Sequence, residues 1–174
     1  SALKQDFDGE WEVILASDGN FYLKEFADKW GIEFSFLYPK GNLAKNQNHA
    51  MKMARGKYIK GLADDDRLYP NTLSDLYYPL ENNDCTLVYA NAVNLRGNKE
   101  QVYKSPPKVS FNSLMRGNAI HGGTTMYKRT AFLSVGGRDE SLDCAEDYDF
   151  YLNLLSKGHK FLYVDSVVYE YRIH

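Results

Sequence analysis

The stretch that decides the fold, Gly56–Leu73, reads GKYIKGLADDDRLYPNTL. Its apolar start predicts a strand at Lys57–Leu62, and three consecutive aspartates, Asp64–Asp66, follow the carboxyl end of that strand. Pro70 suits the first turn of a following helix, because proline lacks the N–H group that a helix start leaves unbonded. A strand, an acidic turn and a helix in this order are typical of an α/β fold.

Strands and helices alternate through the first half of the chain. Apolar and β-branched runs indicate the strands, and a glycine follows each of the first two helices, as expected at a helix end. This alternation predicts an α/β layer fold with a mostly parallel sheet flanked by helices. Strands are predicted at Trp11–Ala16, Ile32–Leu37, Lys57–Leu62 and Thr86–Ala90, and helices at Phe21–Trp30, Asn42–Arg55 and from Pro70 to about Leu80.

The second half of the chain has a less regular pattern. Paired prolines and polar residues at Gly97–Lys108 predict a long exposed loop. We therefore expect a smaller, more irregular region within the same domain. The other predicted elements are a glycine-broken strand at Asn118–Tyr127, a loop at Val135–Leu142, a helix at Ala145–Ser156 and closing strands at Lys160–Val164 and Val167–Tyr171.

The composition excludes several classes of function. The 174 residues, 44% of them hydrophobic, suffice for one globular domain with a core. Because 21 basic residues face 23 acidic ones, no basic field suits a nucleic acid, and we predict no such partner. Two cysteines fit no metal-binding spacing. No apolar run reaches the roughly 18 to 20 residues of a membrane span, so a cytoplasmic location is expected.

The acidic residues lie where a ligand would bind. Asp18 and Asp64–Asp66 both follow predicted strands, and ligands of parallel sheets bind at the carboxyl ends of strands, so we expect one shared crevice. A divalent cation would offset the repulsion between adjacent carboxylates, and Mg²⁺ or Mn²⁺ commonly shares its coordination with substrate phosphates. The alternative is that Asp66 caps the next helix while its neighbours are merely solvated. Spacing alone leaves both interpretations open.

Two further sites are ambiguous from the residues alone. Glu146 and Asp147 open a predicted helix, whose dipole stabilises an ionised carboxylate. An ionised carboxylate can act as a general base, but acids at a helix start also serve stability. His121 and His174 are each either a packed side chain or a ligand. A lone histidine is more often the former.

In its ordered set of motifs the chain resembles glycosyltransferase family 2, the nucleotide-sugar-dependent transferases with the GT-A fold. The motifs span nearly the whole chain and follow the order of the family. They are EVILASDGN at Glu12–Asn20, NHAMKMARGKYIKGLADDDRLYP at Asn48–Pro70, GGRDESLDCAEDYDFYLNLLSKG at Gly136–Gly158 and YEYRIH at Tyr169–His174.

This resemblance implies an inverting, metal-assisted transfer of a sugar from a nucleotide-diphosphate sugar, UDP-linked in most members, to a hydroxyl of a glycan or glycolipid. Residues 1–92 would bind the donor, and residues 93–174 would form the acceptor-side and catalytic half. The protein would act in polysaccharide biosynthesis, in the cytoplasm or at the inner face of the membrane. The implied donor-binding residues are Asp18, Asp64 and Arg172, the ligands of Mn²⁺ or Mg²⁺ are Asp65, Asp66 and His174, and the catalytic base is Asp147.

The sequence departs from the family pattern in three places. Ala63 replaces an acid that many members have, Asn46–Asn48 lacks an arginine of the family, and the stretch before Trp11 contains no counterpart of the usual first strand. We therefore expect a fragment with unpaired backbone groups beside the absent strand, and the sequence leaves open whether it is active alone. The alternatives are a noncatalytic nucleotide-sugar-binding domain and, third, a nucleotidyltransferase, although no glycine-rich phosphate loop is visible.

Overall fold

The computed structural model describes residues 1–174 throughout. Eight strands and six α-helices follow one another, and a 3₁₀ turn at Gly122–Thr124 lies between the fourth helix and the seventh strand. None of the helices combines the length and the apolar character needed to cross a bilayer. The elements are β1 Ile14–Asp18, α1 Leu23–Trp30, β2 Glu33–Leu37, α2 Leu43–Met53, β3 Tyr58–Lys60, β4 Arg67–Leu68, α3 Thr72–Asn82, β5 Leu87–Arg96, β6 Lys99–Tyr103, α4 Phe111–Leu114, β7 Met126–Lys128, α5 Arg129–Ser134, α6 Glu146–Ser156 and β8 Phe161–Arg172.

The strands form two sheets. β1 and β2 make a parallel pair, and the larger sheet has the order β3-β7-β5-β8-β4, with β6 added beside β5. Within the larger sheet only β5 and β8 run parallel, and the other four pairings are antiparallel. The α/β class is confirmed, while the expected mostly parallel sheet is corrected to a mixed one. Parallel pairing needs a long crossover, and several strands after residue 86 return without one.

The region Gly97–Lys108, predicted to be a loop, begins with a hairpin. β6 pairs with β5 from Ala92–Tyr103 to Arg96–Lys99, and Gly97 takes the positive φ of 58° that the tight turn requires. The two predicted closing strands are a single strand, β8, whose pairing with β5 is irregular between Tyr89 and Ala92. A bulge of this kind lets one long strand bend without ending.

The core lies on both faces of the larger sheet, and β5 separates the two parts. Leu87 and Tyr89 pack into one cluster with Phe150 of α6, while Val88 packs into the other with Leu76 of α3. Successive residues of a strand point to opposite faces, so a strand covered on both faces is apolar at every position. This burial explains the uninterrupted apolar run that begins β5.

The edges of β1 and β3 remain free. β1 pairs only with β2, and β3 pairs only with β7, so no strand joins the two sheets. The Glu12 carboxylate connects them instead, because its Oε1 accepts hydrogen bonds from the backbone N–H groups of Arg55 and Gly56 at 2.7 and 2.9 Å.

Candidate active site

Asp66 connects the acidic turn, Asp64–Asp66, to strand β8 by hydrogen bonds. Its Oδ2 accepts a hydrogen bond from the Tyr169 hydroxyl at 2.7 Å, and its Oδ1 accepts one from the Arg172 backbone N–H at 2.8 Å. Burial, reinforced by the carboxylate of Asp66, raises the pKa of Tyr169, which stays a protonated donor. Asp66 is itself buried, and both of its oxygens have protein partners.

Asp65 of the acidic turn and His174, which follows β8, lie together where the site is open to a ligand. The His174 Nε2 lies 3.2 Å from the Asp65 Oδ2, and both side chains are exposed. Asp64 is also exposed. No group of three or more His, Cys, Asp and Glu side chains is arranged to hold a metal ion. A carboxylate beside an imidazole nonetheless suits Mg²⁺ or Mn²⁺ when substrate phosphates supply further oxygens.

Asp18 lies at the end of β1, as predicted. Its Oδ1 accepts a hydrogen bond from the Gly41 backbone N–H at 2.9 Å, which ties the end of β1 to the loop after β2. Gly19 follows with a φ of 79°, so the chain turns away directly after the aspartate. The structure gives Asp18 no hydrogen bond to the acidic turn, and its place in one crevice with that turn stays a prediction.

Asp147 stands in the first turn of α6, against the 3₁₀ turn. Its Oδ1 accepts a hydrogen bond from the neighbouring Tyr148 N–H at 2.7 Å. A Cβ atom added to Gly122 would lie 2.5 Å from the Asp147 Oδ2, so any other residue here would displace the carboxylate. Asp147 is partly exposed and forms no ion pair within the chain. The carboxylate is therefore available to a substrate.

Glu146, the neighbour of Asp147, is instead buried beside a basic side chain. It is buried, and its Oε1 lies 3.7 Å from the Nη1 of Arg138, which is buried as well. The Arg138 guanidinium also lies over the Phe150 ring, 5.4 Å from the centroid. Of the two adjacent acids, only Asp147 is free to react.

Arg172, predicted to bind the donor, contacts the acidic turn through its backbone. Its side-chain Nε lies 3.5 Å from the Glu170 Oε1 and makes no hydrogen bond. Arg67 lies 4.0 Å from the same Glu170 oxygen. The guanidinium of Arg172 thus rests beside an acid shared with a second arginine, and it could turn toward a phosphate without losing a hydrogen bond at Nε.

Lys60 is a site residue that the sequence did not indicate. Its Nζ donates hydrogen bonds to the carbonyl oxygens of Gly123 at 2.5 Å and Gly61 at 2.7 Å, and it lies 5.0 Å from the centroid of the Tyr169 ring. Burial lowers the pKa of Lys60 to about 7, although Asp66 partly opposes this shift. A lysine in a short strand is usually a surface residue, and no local pattern reveals that this one is partly buried with its ammonium group bonded to two carbonyl oxygens.

His121 packs between the acidic turn and the first turn of α6. Its Nδ1 accepts a hydrogen bond from the Gly123 N–H at 3.2 Å, and its ring centroid lies 5.6 Å from that of Tyr169. Burial lowers the pKa of His121, while Asp66 and Asp147 are near enough to favour the charged form. The histidine left ambiguous by the sequence is thus placed among the predicted site residues.

The segment His121–Thr124, here termed the glycine turn, joins the two acidic sites. Gly122 contacts Asp147, as described above. A Cβ atom on Gly123 would lie 2.3 Å from the Tyr169 ring, whose hydroxyl bonds Asp66. The candidate base and the acidic turn therefore flank the same four residues. Distant parts of the sequence are brought together here, and only the glycines leave room for them.

Comparison with known protein families identifies the family of the chain. The sequence model of Glycosyl transferase family 2 matches residues 1–135. The chain belongs to this family. The match includes Asp18, the acidic turn and the glycine turn, and it ends before Asp147 and β8.

Several relatives in family 2 resemble the chain over its whole length. A UDP-Glc:alpha-D-GlcNAc-diphosphoundecaprenol beta-1,3-glucosyltransferase of Escherichia coli, WfaP, is 27% identical over 184 residues, covering 100% of this chain and 70% of the relative. An uncharacterised glycosyltransferase of Rickettsia typhi is 27% identical over 99% of this chain and 56% of its own length. A second, from Rickettsia conorii, is matched over only 31% of its length. The chain thus spans about a third to a little over half of these Rickettsia relatives.

Solved structures of other glycosyltransferases have the same fold. S. aureus TarS 1-349 in complex with UDP-GlcNAc superposes with a TM-score of 0.79 at 20% identity, covering 99% of this chain and 53% of that one. GalNAc-T7 with UDP, GalNAc and Mn²⁺ gives a TM-score of 0.73 at 15% identity, covering 94% of this chain and 38% of that one. At these identities the likeness establishes the GT-A fold alone.

Proposed function

We propose that the chain carries the donor site and catalytic base of an inverting glycosyltransferase, which transfers a sugar from a UDP-sugar to a hydroxyl of a glycan or glycolipid. One observation carries this proposal: Asp147 contacts Gly122, and Tyr169, which bonds Asp66 of the acidic turn, contacts the adjacent Gly123. An inverting transfer needs a base on the acceptor side and charge compensation on the side of the leaving diphosphate. The arrangement supplies a candidate for each.

Asp147 is the group that takes the acceptor proton. As the acceptor oxygen attacks the anomeric carbon, its hydroxyl proton passes to the Asp147 carboxylate. The bond between that carbon and the diphosphate oxygen breaks with its electron pair remaining on UDP. Attack from the face opposite the leaving group inverts the anomeric configuration. The free Oδ2 of Asp147, held beside Gly122, suits this role because no basic side chain pairs with it.

The donor contacts follow from the exposed acids. Asp18 would hold the nucleotide base, Asp64 the ribose, and the Arg172 guanidinium a phosphate. Asp65 and His174 would hold Mn²⁺ or Mg²⁺, which supplies positive charge beside the leaving diphosphate when bound. The two hydrogen bonds of Asp66 favour an anchoring role for this residue over direct metal coordination, because both of its oxygens already have partners.

The two halves of the chain contribute different residues to the proposed site. Residues 1–92 contain the acids assigned to the donor, and residues 93–174 contain Asp147 and also contribute Arg172 and His174 to the donor side. The name of the E. coli relative includes a lipid-linked diphosphate sugar as acceptor. An acceptor of that kind is compatible with polysaccharide biosynthesis and with attachment of the protein to the inner face of the membrane through other segments.

The experiment offers the chain four UDP-sugars in turn, UDP-Glc, UDP-Gal, UDP-GlcNAc and UDP-GalNAc, with Mn²⁺. The acceptor is a synthetic α-GlcNAc diphosphate carrying an alkyl chain. We expect one donor to yield an extended product by mass spectrometry, with a β-linkage by NMR because the donors are α-linked. An α-linked product would contradict inversion. Donor binding without any product would favour a noncatalytic domain.

A further inference from the structure

We infer that His121, Asn94, Gln101 and Tyr171 form a subsite for a neutral sugar ring of the acceptor, next to Asp147. This inference rests on the proposed function and deepens it. We term these four residues the platform. They come from β5, β6, β8 and the glycine turn, and they meet on one face of the larger sheet.

The strand register places the platform residues side by side. Residues opposite one another in neighbouring strands project from the same face of the sheet. Two adjacent rows cross β6, β5 and β8, and the His121 ring contacts both rows, with a centroid 4.9 Å from that of Tyr171 and 6.1 Å from that of Tyr103. The first row contains Tyr103, Ala92 and Tyr169, and the second contains Gln101, Asn94 and Tyr171.

His121 presents a hydrogen-bond donor to this face. Its Nδ1 accepts from the Gly123 N–H, so the proton of the neutral ring lies on Nε2. The Nε2 atom makes no hydrogen bond within the chain and is not shielded from solvent. Packing against Tyr169 and Tyr171 fixes the ring plane. An oriented donor without a protein partner suits a hydroxyl or ring oxygen of a ligand.

Asn94 adds an acceptor that the chain does not satisfy. Its Oδ1 is shielded from solvent and has no hydrogen-bond partner. Buried polar atoms in folded proteins almost always have one, so an orphaned acceptor indicates a missing donor. Asn94 lies between Gln101 and Tyr171 in its row. A sugar hydroxyl can donate the missing hydrogen bond to the Asn94 Oδ1 once the Asn94 amide turns toward the ligand.

The chemistry of the platform selects an uncharged ring. Its members are an amide pair, a neutral imidazole and a tyrosine that is 39% exposed, and none of them carries a charge. Sugars offer hydroxyls to amides and apolar C–H faces to aromatic rings, whereas a phosphate would need cations. Lys60, the nearest cation identified, already donates to two carbonyl groups.

The platform suits the acceptor because of its position. His121 directly precedes Gly122, whose Cα lies against the Asp147 Oδ2. A ring lying on Tyr171 and bonded to the Nε2 of His121 therefore brings its hydroxyls toward the candidate base. The donor diphosphate is assigned instead to Asp65 and His174, which contact each other and make no recorded hydrogen bond to a platform residue.

The test distinguishes the structural hydrogen bond of the His121 Nδ1 from the proposed ligand contact of its Nε2. In His121→Asn the amide oxygen can still accept from the Gly123 N–H, as asparagine does at turn starts, but the Nε2 donor is lost. Tyr171→Ala removes the stacking ring. His159→Gln and Tyr22→Ala are matched controls, because both residues lie outside the platform. Saturation-transfer NMR measures binding of methyl glycosides of Glc, Gal, GlcNAc and GalNAc and of the α-GlcNAc diphosphate alkyl ester, and calorimetry measures UDP binding.

We expect at least one sugar probe to bind the wild-type chain. His121→Asn should weaken it roughly three- to tenfold, as for one lost hydrogen bond, and Tyr171→Ala about tenfold. UDP affinity and melting temperature should stay at the wild-type values in His121→Asn, and the controls should change nothing. A purely structural role of His121 would lower the melting temperature instead.

Three results would overturn the subsite. The first is equal sugar binding in wild type and both platform variants, and the second is no binding of any sugar probe to a chain that binds UDP. Loss of UDP-Glc affinity relative to UDP, with the acceptor probes unaffected, would also overturn it, because the platform would then hold the donor sugar. If sugars bind the platform but UDP does not bind the chain, the subsite stands and the proposed function fails.

Discussion

Replacing Asp147 with asparagine should lower the rate of sugar transfer by about 10²- to 10⁴-fold, the usual contribution of a general base. Asparagine has the same size and can keep the hydrogen bond from the Tyr148 N–H, but it cannot accept the acceptor proton. UDP affinity should stay within about twofold, because the proposed donor contacts lie elsewhere. Transfer is measured by UDP release, and binding is measured by calorimetry.

Asp149→Asn is the matched control for this experiment. Asp149 lies in the same first turn of α6, so both variants weaken the favourable interaction of acids with the helix dipole. Only the Asp147 variant should lose transfer. If both variants retained the wild-type rate, Asp147 would not be the base, and the noncatalytic alternative would gain support.

Replacing Asp66 with alanine should destabilise the chain by about 2–4 kcal/mol, because the Tyr169 hydroxyl and the Arg172 N–H would both lose their acceptor in a buried place. Asp64→Ala removes the same chemical group from an exposed position. Its free energy of unfolding should stay within about 0.5 kcal/mol of the wild type. Urea denaturation of the three proteins measures the difference.

This pair of variants tests whether Asp66 is a structural anchor or a metal ligand. A large loss of stability in Asp66→Ala alone supports the anchoring role. Equal stability of both variants would mean that the hydrogen bonds of Asp66 contribute little, and direct metal coordination by Asp66 would then become the better assignment.

The sequence predicted the α/β class and most elements of the first half, because strand and helix periodicities are local. The predictions of β1, α1, β2 and α2 differ from the structure mainly at the ends. The mixed, largely antiparallel pairing of the larger sheet was not predictable in the same way. Pairing direction depends on whether a connection is a hairpin or a crossover, and the short β5–β6 turn at Gly97 was hidden within a polar segment.

The site was predictable in part. The resemblance to the family gives the seven predicted site residues, but no local pattern separates Asp65 from Asp66. Their difference depends on contacts with Tyr169 and His174, more than 100 residues away. Lys60 and His121 were missed or left open for the same reason, since their environment is formed by the glycine turn and β8.

The most direct test of the central claim is a calorimetric titration of the chain with UDP, with and without Mn²⁺. We predict that Mn²⁺ strengthens UDP binding at least about tenfold, because the cation and the diphosphate would share the site of Asp65 and His174. Asp65→Ala should lose this gain while keeping its fold. Equal UDP affinity with and without Mn²⁺ in the wild type, or no UDP binding at all, would contradict the assignment of the acidic turn to a metal-assisted donor site.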